Sequence, residues 1–187
     1  MIGFREHEPQ NGMRVWRNDS GDLLTLHVRS IGGSFGGSEE ETRNLARGVA
    51  ERAQAGLVEA GRSDDGTRAW LIYKKRNPMG SYYTGMLFDF SLFLDRIWTT
   101  IAGQRDSRGV REAMVTQELL AAGELTLDDF DTKFSGDPYD PSYAGVDRKL
   151  LRTLSDDARY DARFPDHPLT KVRAVLQALP GAFDPMA

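Results

Sequence analysis

The chain contains no cysteine, which excludes disulfide bonds, zinc sites with thiolate ligands and cysteine nucleophiles. No stretch approaches the ~18 consecutive apolar residues that a membrane-spanning helix needs. The first residues include Glu6 and Glu8 and therefore lack the uninterrupted apolar run of a signal peptide. We accordingly expect a protein that does not cross a membrane and is located in the cytoplasm.

An excess of positive charge is also missing. Twenty-four Lys and Arg residues oppose 28 Asp and Glu residues, for a net charge of −4, which argues against a nucleic-acid binder. The segment 74–76, followed by Tyr82 and Tyr83, combines cations with aromatics as single-strand binding sites do. Tyrosines in strands usually lie at the edge of a core, so we expect no nucleic-acid partner.

What the sequence does contain is enough apolar material for one folded domain. Hydrophobic residues make up 40% of its 187 residues and aromatic residues 10%, so burial can offset the entropy of the chain. A chain of this length has a prior close to one domain. We therefore expect a single domain over 1–187.

Local patterns predict most of the helices and strands. Ser38 and Glu41 form a capping box at a helix start, and 64–66 has the Asp-Gly signal of a hairpin turn. His7 is expected in a frayed terminus. Strands are predicted at 13–17, 23–28, 56–62, 67–76, 81–90 and 92–103, and helices at 38–56, 109–122 and 168–179.

The predicted strands lack a clean alternation of polar and apolar residues. In 69–73 and in 92–102 both faces of the strand are apolar, so both faces need cover. Hairpin connections make the sheet mostly antiparallel. The sequence therefore predicts an α+β fold, a three-layer α/β/α sandwich around a central mostly antiparallel sheet. The side chains expected to be buried in it are Trp70, Ile72, Leu87, Leu94 and Trp98.

Two helices are predicted to supply cover. The helix over 109–122 is expected to pack through Val110, Ala113, Met114, Leu120 and Ala121. The C-terminal helix, within 166–180, is expected to pack back on the sheet as a clasp. Its apolar stripe consists of Leu169, Val172, Leu176 and Leu179, and Tyr160 and Phe164 are expected to anchor the chain leading to it.

An irregular acidic segment is predicted over 124–165. It contains seven acidic residues before Arg148, and Pro138 and Pro141 prevent a continuous helix. Calcium prefers several carboxylates, but the spacing after Asp129 and Asp131 places Lys133 at the next ligand position. We expect a solvated acidic loop without a metal.

Motifs for known chemistry are missing. The glycine-rich segment 32–37 lacks the Gly-Lys-Ser/Thr of a P-loop and is followed by glutamates, which predicts a flexible surface loop. Asp166 and His167 are adjacent, as in an acid–base pair, but capping of the following helix explains this position better. We therefore assign no catalytic, cofactor-binding or metal-ligating residue, and no cofactor.

Several motifs together resemble a group of uncharacterised proteins of high-GC bacteria. They are Tyr-Thr-Gly at 83–85, Gly-Val-Arg-Glu-Ala at 109–113, Asp-Pro-Tyr-Asp-Pro at 137–141 and Tyr-Asp-Ala-Arg-Phe-Pro-Asp-His-Pro-Leu at 160–169. The resemblance spans nearly the whole chain and implies no activity. The order of elements also faintly resembles the PsbP-like α/β/α accessory fold of photosystem II proteins, whose members mostly bind other proteins.

This resemblance in element order favours a non-enzymatic, protein-binding or accessory role. Two alternatives stay open. One is an enzyme whose acid–base residues come from separate segments, with Asp166, His167 and carboxylates of the acidic loop as candidates. The other is a binder of a small ligand between sheet and helix. An exposed apolar patch would favour a protein partner, whereas a deep pocket with titrating carboxylates would favour the enzyme.

Overall fold

Seven strands form one sheet in which every neighbouring pair is antiparallel. The structure is a computed structural model that describes residues 3–29, 35, 37–77, 80–90, 95–103 and 109–182. The strands are β1 (Arg5–Gln10), β2 (Met13–Arg17), β3 (Leu23–Arg29), β4 (Gly56–Arg62), β5 (Arg68–Asn77), β6 (Gly80–Asp89) and β7 (Asp95–Gly103).

The strand order is β1-β2-β3-β7-β6-β5-β4. Hairpins join the strands within each half, and the chain crosses from β3 to the far edge strand β4 through the first helix, α1 (Glu39–Arg52). The prediction of an α+β fold with a mostly antiparallel sheet is confirmed.

The first strand, β1, contradicts the expectation that His7 lies in a frayed terminus. His7 pairs with Val15 of β2. The turn between the two strands is Asn11-Gly12, and both residues have positive φ angles, 51° and 75°. This is the backbone of a type I′ turn, whose twist matches paired antiparallel strands. The Asn-Gly turn therefore pairs β1 with β2 although the residues of β1 are exposed and mostly polar.

The remaining helices are α2 (Val110–Ala121), α3 (Phe130–Lys133) and α4 (Pro168–Ala182). Helix α1 begins with the predicted capping box, in which Ser38 accepts from the backbone N–H of Glu41 and the Glu41 side chain accepts from that of Ser38. Among the described residues, no helix is long and apolar enough to span a membrane.

Helix α4 covers one face of the sheet. Its stripe is buried, with Leu169 and Val172 0% exposed, Leu176 7% and Leu179 2%. These side chains form one cluster with residues of β2 to β7, including Trp16, Leu24 and Trp98. Helix α4 therefore packs against this face of the sheet through its apolar stripe.

Helix α1 contacts the opposite face. Ala46 and Ala50 are buried against Leu57 and Leu71, whose neighbours along their strands, Val58 and Ile72, belong to the α4 cluster. Helices therefore contact both faces of the sheet. The full three-layer arrangement goes beyond these contacts and stays a prediction.

Helix α2 is present where predicted, but its packing face is different. Arg111, Val115 and Leu119 are buried, whereas Val110 and Met114 are 45% and 48% exposed. The prediction that Val110, Ala113, Met114 and Ala121 pack inward is wrong, because the buried stripe includes a charged residue that its hydrogen bonds accommodate. Leu120 is partly buried against the cluster of Val115 and Leu119.

The chain between α2 and α4 consists of short elements. A two-stranded sheet pairs β8 (Ser135–Gly136) with β9 (Arg152–Thr153), and 3-10 helices cover Arg148–Leu150, Leu154–Asp156 and Ala158–Arg163. Tyr160 is 6% exposed and packs with α2 residues in a third cluster, where Phe164 is partly buried. The expected anchoring by both side chains is confirmed.

Most of the predicted core is present. Ile72, Leu87 and Trp98 are buried, whereas Leu94 lies outside the described residues, as does most of the glycine-rich segment 32–37. The prediction for Trp70 is wrong, because this side chain is only partly buried. It lines a pocket of about 420 Å³ beside α4, which leaves part of its ring without protein contacts.

Candidate functional site

A buried polar network lies beneath one end of the β5–β6 hairpin, centred on Asp156. Both carboxylate oxygens of Asp156 are used: Oδ2 lies 2.8 Å from Nζ of Lys74, and Oδ1 accepts from the hydroxyl of Tyr83 at 2.8 Å. The backbone N–H and the hydroxyl of Thr153 also donate to Oδ2. Asp156 is 0% exposed, so these donors replace its hydration completely.

The sheet register explains why these groups meet. Lys74 of β5 is the direct cross-strand partner of Tyr83 of β6, so their side chains share one face. Asp156 is the last residue of the 3-10 helix Leu154–Asp156, and its side chain forms a capping box with Thr153 at the start of this helix. The interleaved cations and tyrosines noted in the sequence therefore belong in part to the interior, which agrees with the expected role of tyrosines in the core.

The network fixes the charges of its members. Burial alone would raise the pKa of Asp156, but Lys74 and the hydrogen bonds hold this pKa well below its usual range. Burial raises the pKa of the Tyr83 hydroxyl well above its usual value, and the charge of Asp156 raises it further. Tyr83 therefore stays a hydrogen-bond donor, and Asp156 stays ionised.

Arg111 of α2 forms a second buried centre next to this network. It is 1% exposed and donates through Nε to the carbonyl oxygen of Ser155 at 2.7 Å. Its terminal nitrogens donate to the carbonyl oxygen of Asp157 and to Asp161 Oδ1, both at 2.9 Å. Arg111 therefore ties α2 to the chain that leads into α4.

Arg173 of α4 completes the connection between α4 and the sheet. Its guanidinium donates to Oε2 of Glu59 on β4 at 2.6 Å and to both carboxylate oxygens of Asp161 at 3.0 Å. It also donates to the carbonyl oxygen of Asp156 at 2.7 Å. These charge-assisted bonds place the network on a rigid support.

Glu112 and His167 face one another between this network and the surface. Nε2 of His167 lies 3.8 Å from Oε1 of Glu112, which is longer than a hydrogen bond. Among the described residues, Nε2 of His167 and Oε2 of Glu112 are buried atoms without a hydrogen-bond partner. The ring edge of Tyr83 packs against His167 with 5.5 Å between ring centroids.

A pocket of about 760 Å³ opens at this position. Its wall combines cations, carboxylates, hydroxyl groups and one aromatic pair, Phe130 and Phe134, which are stacked 4.6 Å apart. Gly109, the N-cap of α2, also lines it and has no side chain with which to cap the helix. The charged and hydroxyl residues of the wall are Lys74, Arg76, Ser81, Glu112, Asp131, Ser135, Asp147, Arg148, Lys149 and Thr153.

The structure brings only part of the predicted acid–base set together. His167 is buried, but its carboxylate neighbour is Glu112 of α2, whereas the adjacent Asp166 is exposed. The helix cap also comes from His167, whose Nδ1 accepts from the N–H of Leu169 at 3.3 Å. The expectation that His167 serves at the start of α4 is confirmed.

The acidic segment has structural roles that its composition did not predict. Asp137 binds Arg47 of α1 through two hydrogen bonds of 2.9 and 3.1 Å, and the hydroxyl of Tyr139 bonds both backbone groups of Ala60. In the part of the chain that is described, no three His, Asp or Glu side chains are grouped to hold a metal ion. The absence of calcium binding stays a prediction.

Sequence reasoning missed Arg111, Glu112 and the role of Lys74. A charged residue on a predicted amphipathic helix is normally assigned to its solvated face. The available signal was the spacing of Arg111, Val115 and Leu119, which are four residues apart and share one face. Lys74 and Tyr83 are 82 and 73 positions from Asp156, and no local pattern links their hairpin to this carboxylate.

Comparison with known proteins does not place this site in a family. No protein-family model matches the chain, and a search of curated proteins finds no match.

Proposed function

We propose that the protein binds a small ligand through an oxyanion, a phosphate or a carboxylate, in the pocket between the β5–β6 hairpin, α2 and α3. The observation that carries this proposal is the pair of cations Arg76 and Lys149 in the pocket wall. Neither side chain forms an ion pair with another described residue, whereas Lys74 behind them is neutralised by Asp156. Unpaired cations around a pocket attract anions.

Neighbouring groups support the same ligand chemistry. The N-terminus of α2 at Gly109 contributes the positive end of a helix dipole, which favours an anion. The hydroxyl of Ser81 adds a donor on β6. The stacked rings of Phe130 and Phe134 provide an apolar surface for the rest of the ligand, as is typical of small-molecule sites.

A protein-binding role, favoured from the sequence, has less to support it. The exposed large apolar side chains of the described residues are Val28, Leu45, Val110, Met114 and Leu127. Only Val110 and Met114 are one helical turn apart, and the others lie on β3, on α1 and in the segment after α2. Scattered apolar residues are normal on a protein surface and do not form a docking patch.

An enzymatic role is a second candidate, which the facing of Glu112 and His167 favours. Paired titratable groups beside a pocket are the usual arrangement for proton transfer. Glu112 would take the place of the acidic-loop carboxylates and of Asp166, because it is the carboxylate that lies near His167. Binding of a ligand is the requirement common to both candidates, so it is tested first.

The test is an NMR titration of ¹⁵N-labelled protein with inorganic phosphate and, separately, with acetate, at constant ionic strength. We expect saturable shifts at the backbone amides of Ser81, Gly109 and Thr153. The Arg76→Ala/Lys149→Ala double variant should weaken binding about tenfold or more, which corresponds to about 1.4 kcal/mol.

The matched control removes two exposed cations elsewhere. Arg5→Ala/Arg17→Ala changes the net charge equally, but β1 and β2 lie at the opposite edge of the sheet from the pocket. It should bind both anions like the wild type. Shifts that fail to saturate, or equal weakening by the two double variants, would show that the anions respond only to overall charge and would refute the proposal.

A further inference from the structure

We infer that Glu112 gives this pocket a second recognition point, for an ammonium group, so that the ligand is a small zwitterion in which an oxyanion is joined to a primary amine. The inference rests on the proposed function, because the cations Arg76 and Lys149 hold the oxyanion. It adds the group that distinguishes this ligand from a simple phosphate or carboxylate.

The carboxylate of Glu112 has unused capacity to accept hydrogen bonds. Its side chain is 28% exposed and forms part of the pocket wall, in the first turn of α2. Oε2 is buried and has no hydrogen-bond partner among the described residues, and Oε1 lies 3.8 Å from Nε2 of His167. A carboxylate that is partly withdrawn from water and has an unpartnered oxygen favours a cationic donor.

His167 lies on the buried side of Glu112, since its side chain is almost inaccessible whereas Glu112 is partly exposed and lines the pocket. The His167 side chain is 3% exposed, and its Nδ1 accepts from the N–H of Leu169. Because Nδ1 accepts a hydrogen bond, the ring carries its proton on Nε2, the nitrogen that lies 3.8 Å from Oε1 of Glu112. The packed ring of Tyr83 prevents His167 from moving away.

Glu112 is negatively charged at neutral pH. Burial by itself would raise the pKa of its carboxyl, but the neighbouring His167 ring and the backbone N–H of Glu112 together outweigh this effect and lower the pKa below its usual value. The wall of the pocket therefore carries a negative charge at Glu112 as well as the positive charges of Arg76 and Lys149.

This combination of charges selects against ligands of a single sign. An oxyanion alone would be attracted by Arg76 and Lys149 but repelled by Glu112, and Asp131 and Asp147 add further negative charge to the wall. An amine alone would be attracted by Glu112 but repelled by Arg76 and Lys149. A molecule with both groups can place each group next to the opposite charge, and such a requirement gives a charged pocket its specificity.

The test compares ligands that differ only in the amine. Phosphoethanolamine is compared with ethyl phosphate, and β-alanine with propionate, by the same NMR titration at pH 7.5. The wild type should bind the amine-containing member of the preferred pair about tenfold more tightly. Glu112→Gln, which keeps the size of the side chain, should make the two members equal within about twofold while retaining binding of the simple oxyanion.

Glu118→Gln is the matched control, since Glu118 lies on the same helix, is half exposed and binds Arg163 outside the pocket. It should keep the wild-type preference. The wild-type comparison alone decides the inference if Glu112→Gln does not fold. Equal affinities within a pair would overturn the ammonium site and leave the proposed function intact. A preference that survives Glu112→Gln would also overturn it, whereas failure of all four ligands to bind would refute the proposed function itself.

Discussion

At the scale of single residues, the buried charge of Asp156 is the most demanding feature of the fold. A carboxylate removed from water costs several kcal/mol unless its partners are in place, and here Lys74, Tyr83 and Thr153 supply them. Mutation of one member of a buried ion pair lowers the unfolding free energy much more than mutation of one member of an exposed pair. Asp156 should therefore dominate the acid response of the protein.

The corresponding prediction concerns Asp156→Asn. At pH 7 this variant should lose about 3–5 kcal/mol of unfolding free energy, because Lys74 is left buried without its counter-charge. The folded state lowers the pKa of Asp156, so the ionised carboxylate stabilises the protein above its unfolded pKa of about 3.9. That contribution disappears as the pH falls from about 5 toward the lowered folded-state pKa.

Urea denaturation of the wild type and the variant at a series of pH values measures this effect. The difference between their unfolding free energies should shrink steadily below about pH 5. Asp19→Asn is the control, since Asp19 is 84% exposed and this change removes only its ion pair with Arg5, in which nitrogen and oxygen are 3.5 Å apart. A difference that stays constant from pH 7 to pH 3 would show that the charge of Asp156 contributes nothing.

At the scale of elements, Gly85 of β6 determines how closely α4 approaches the sheet. A Cβ atom placed on Gly85 would lie 2.6 Å from Cγ1 of Val172 and 2.9 Å from Cδ1 of Leu176. Both contacts are far shorter than van der Waals distances. The missing side chain therefore provides the space into which the apolar stripe of α4 packs.

We predict that Gly85→Ala destabilises the protein by about 1–3 kcal/mol, the usual cost of overpacking a core. Gly103→Ala on the neighbouring strand β7 is the control, because the nearest contact of its added Cβ would be Tyr82 Cβ at 4.0 Å. Chemical denaturation of both variants measures the contrast. Equal stability of the two would mean that α4 can shift outward without loss.

Elements were predictable from sequence where one local signal decides them. The capping box at Ser38 and the Asp-Gly turn at 64–66 both specify backbone geometry within a few residues. The packing faces of helices were less predictable. Helix α1 buries Thr42, Ala46 and Ala50 and leaves Leu45 46% exposed, because small residues allow the helix to approach the sheet closely.

The candidate site was less predictable than the fold, because its residues come from distant segments. Lys74 and Asp156 are 82 positions apart, and Glu112 meets His167 only because α2 and the start of α4 lie side by side. Adjacency in sequence suggested Asp166 instead. Register and helix packing, rather than composition, bring the site together.

At the scale of the whole molecule, the segment 158–182, which ends in α4, holds the sheet and the site together. Tyr160 packs on α2, Arg173 binds Glu59 and Asp161, and the stripe of α4 covers one face of the sheet. Burial of each of the four stripe side chains contributes about 1.5–3 kcal/mol. Together the four side chains contribute about 6–12 kcal/mol, which is comparable to the total stability of about 5–15 kcal/mol that is typical of a domain.

Deletion of every residue after Asp157 should therefore abolish cooperative unfolding. The exposed face of the sheet, with Leu24, Ile72 and Trp98, would bind a hydrophobic dye such as ANS, and the truncated protein would be molten or insoluble. A chain that ends after Ala182 keeps α4 and serves as the control, with a melting transition close to that of the full chain. Dye binding, near-UV circular dichroism and thermal melting of both proteins give the result. A truncated protein that stays monomeric and melts like the full chain would show that the sheet is stable without α4.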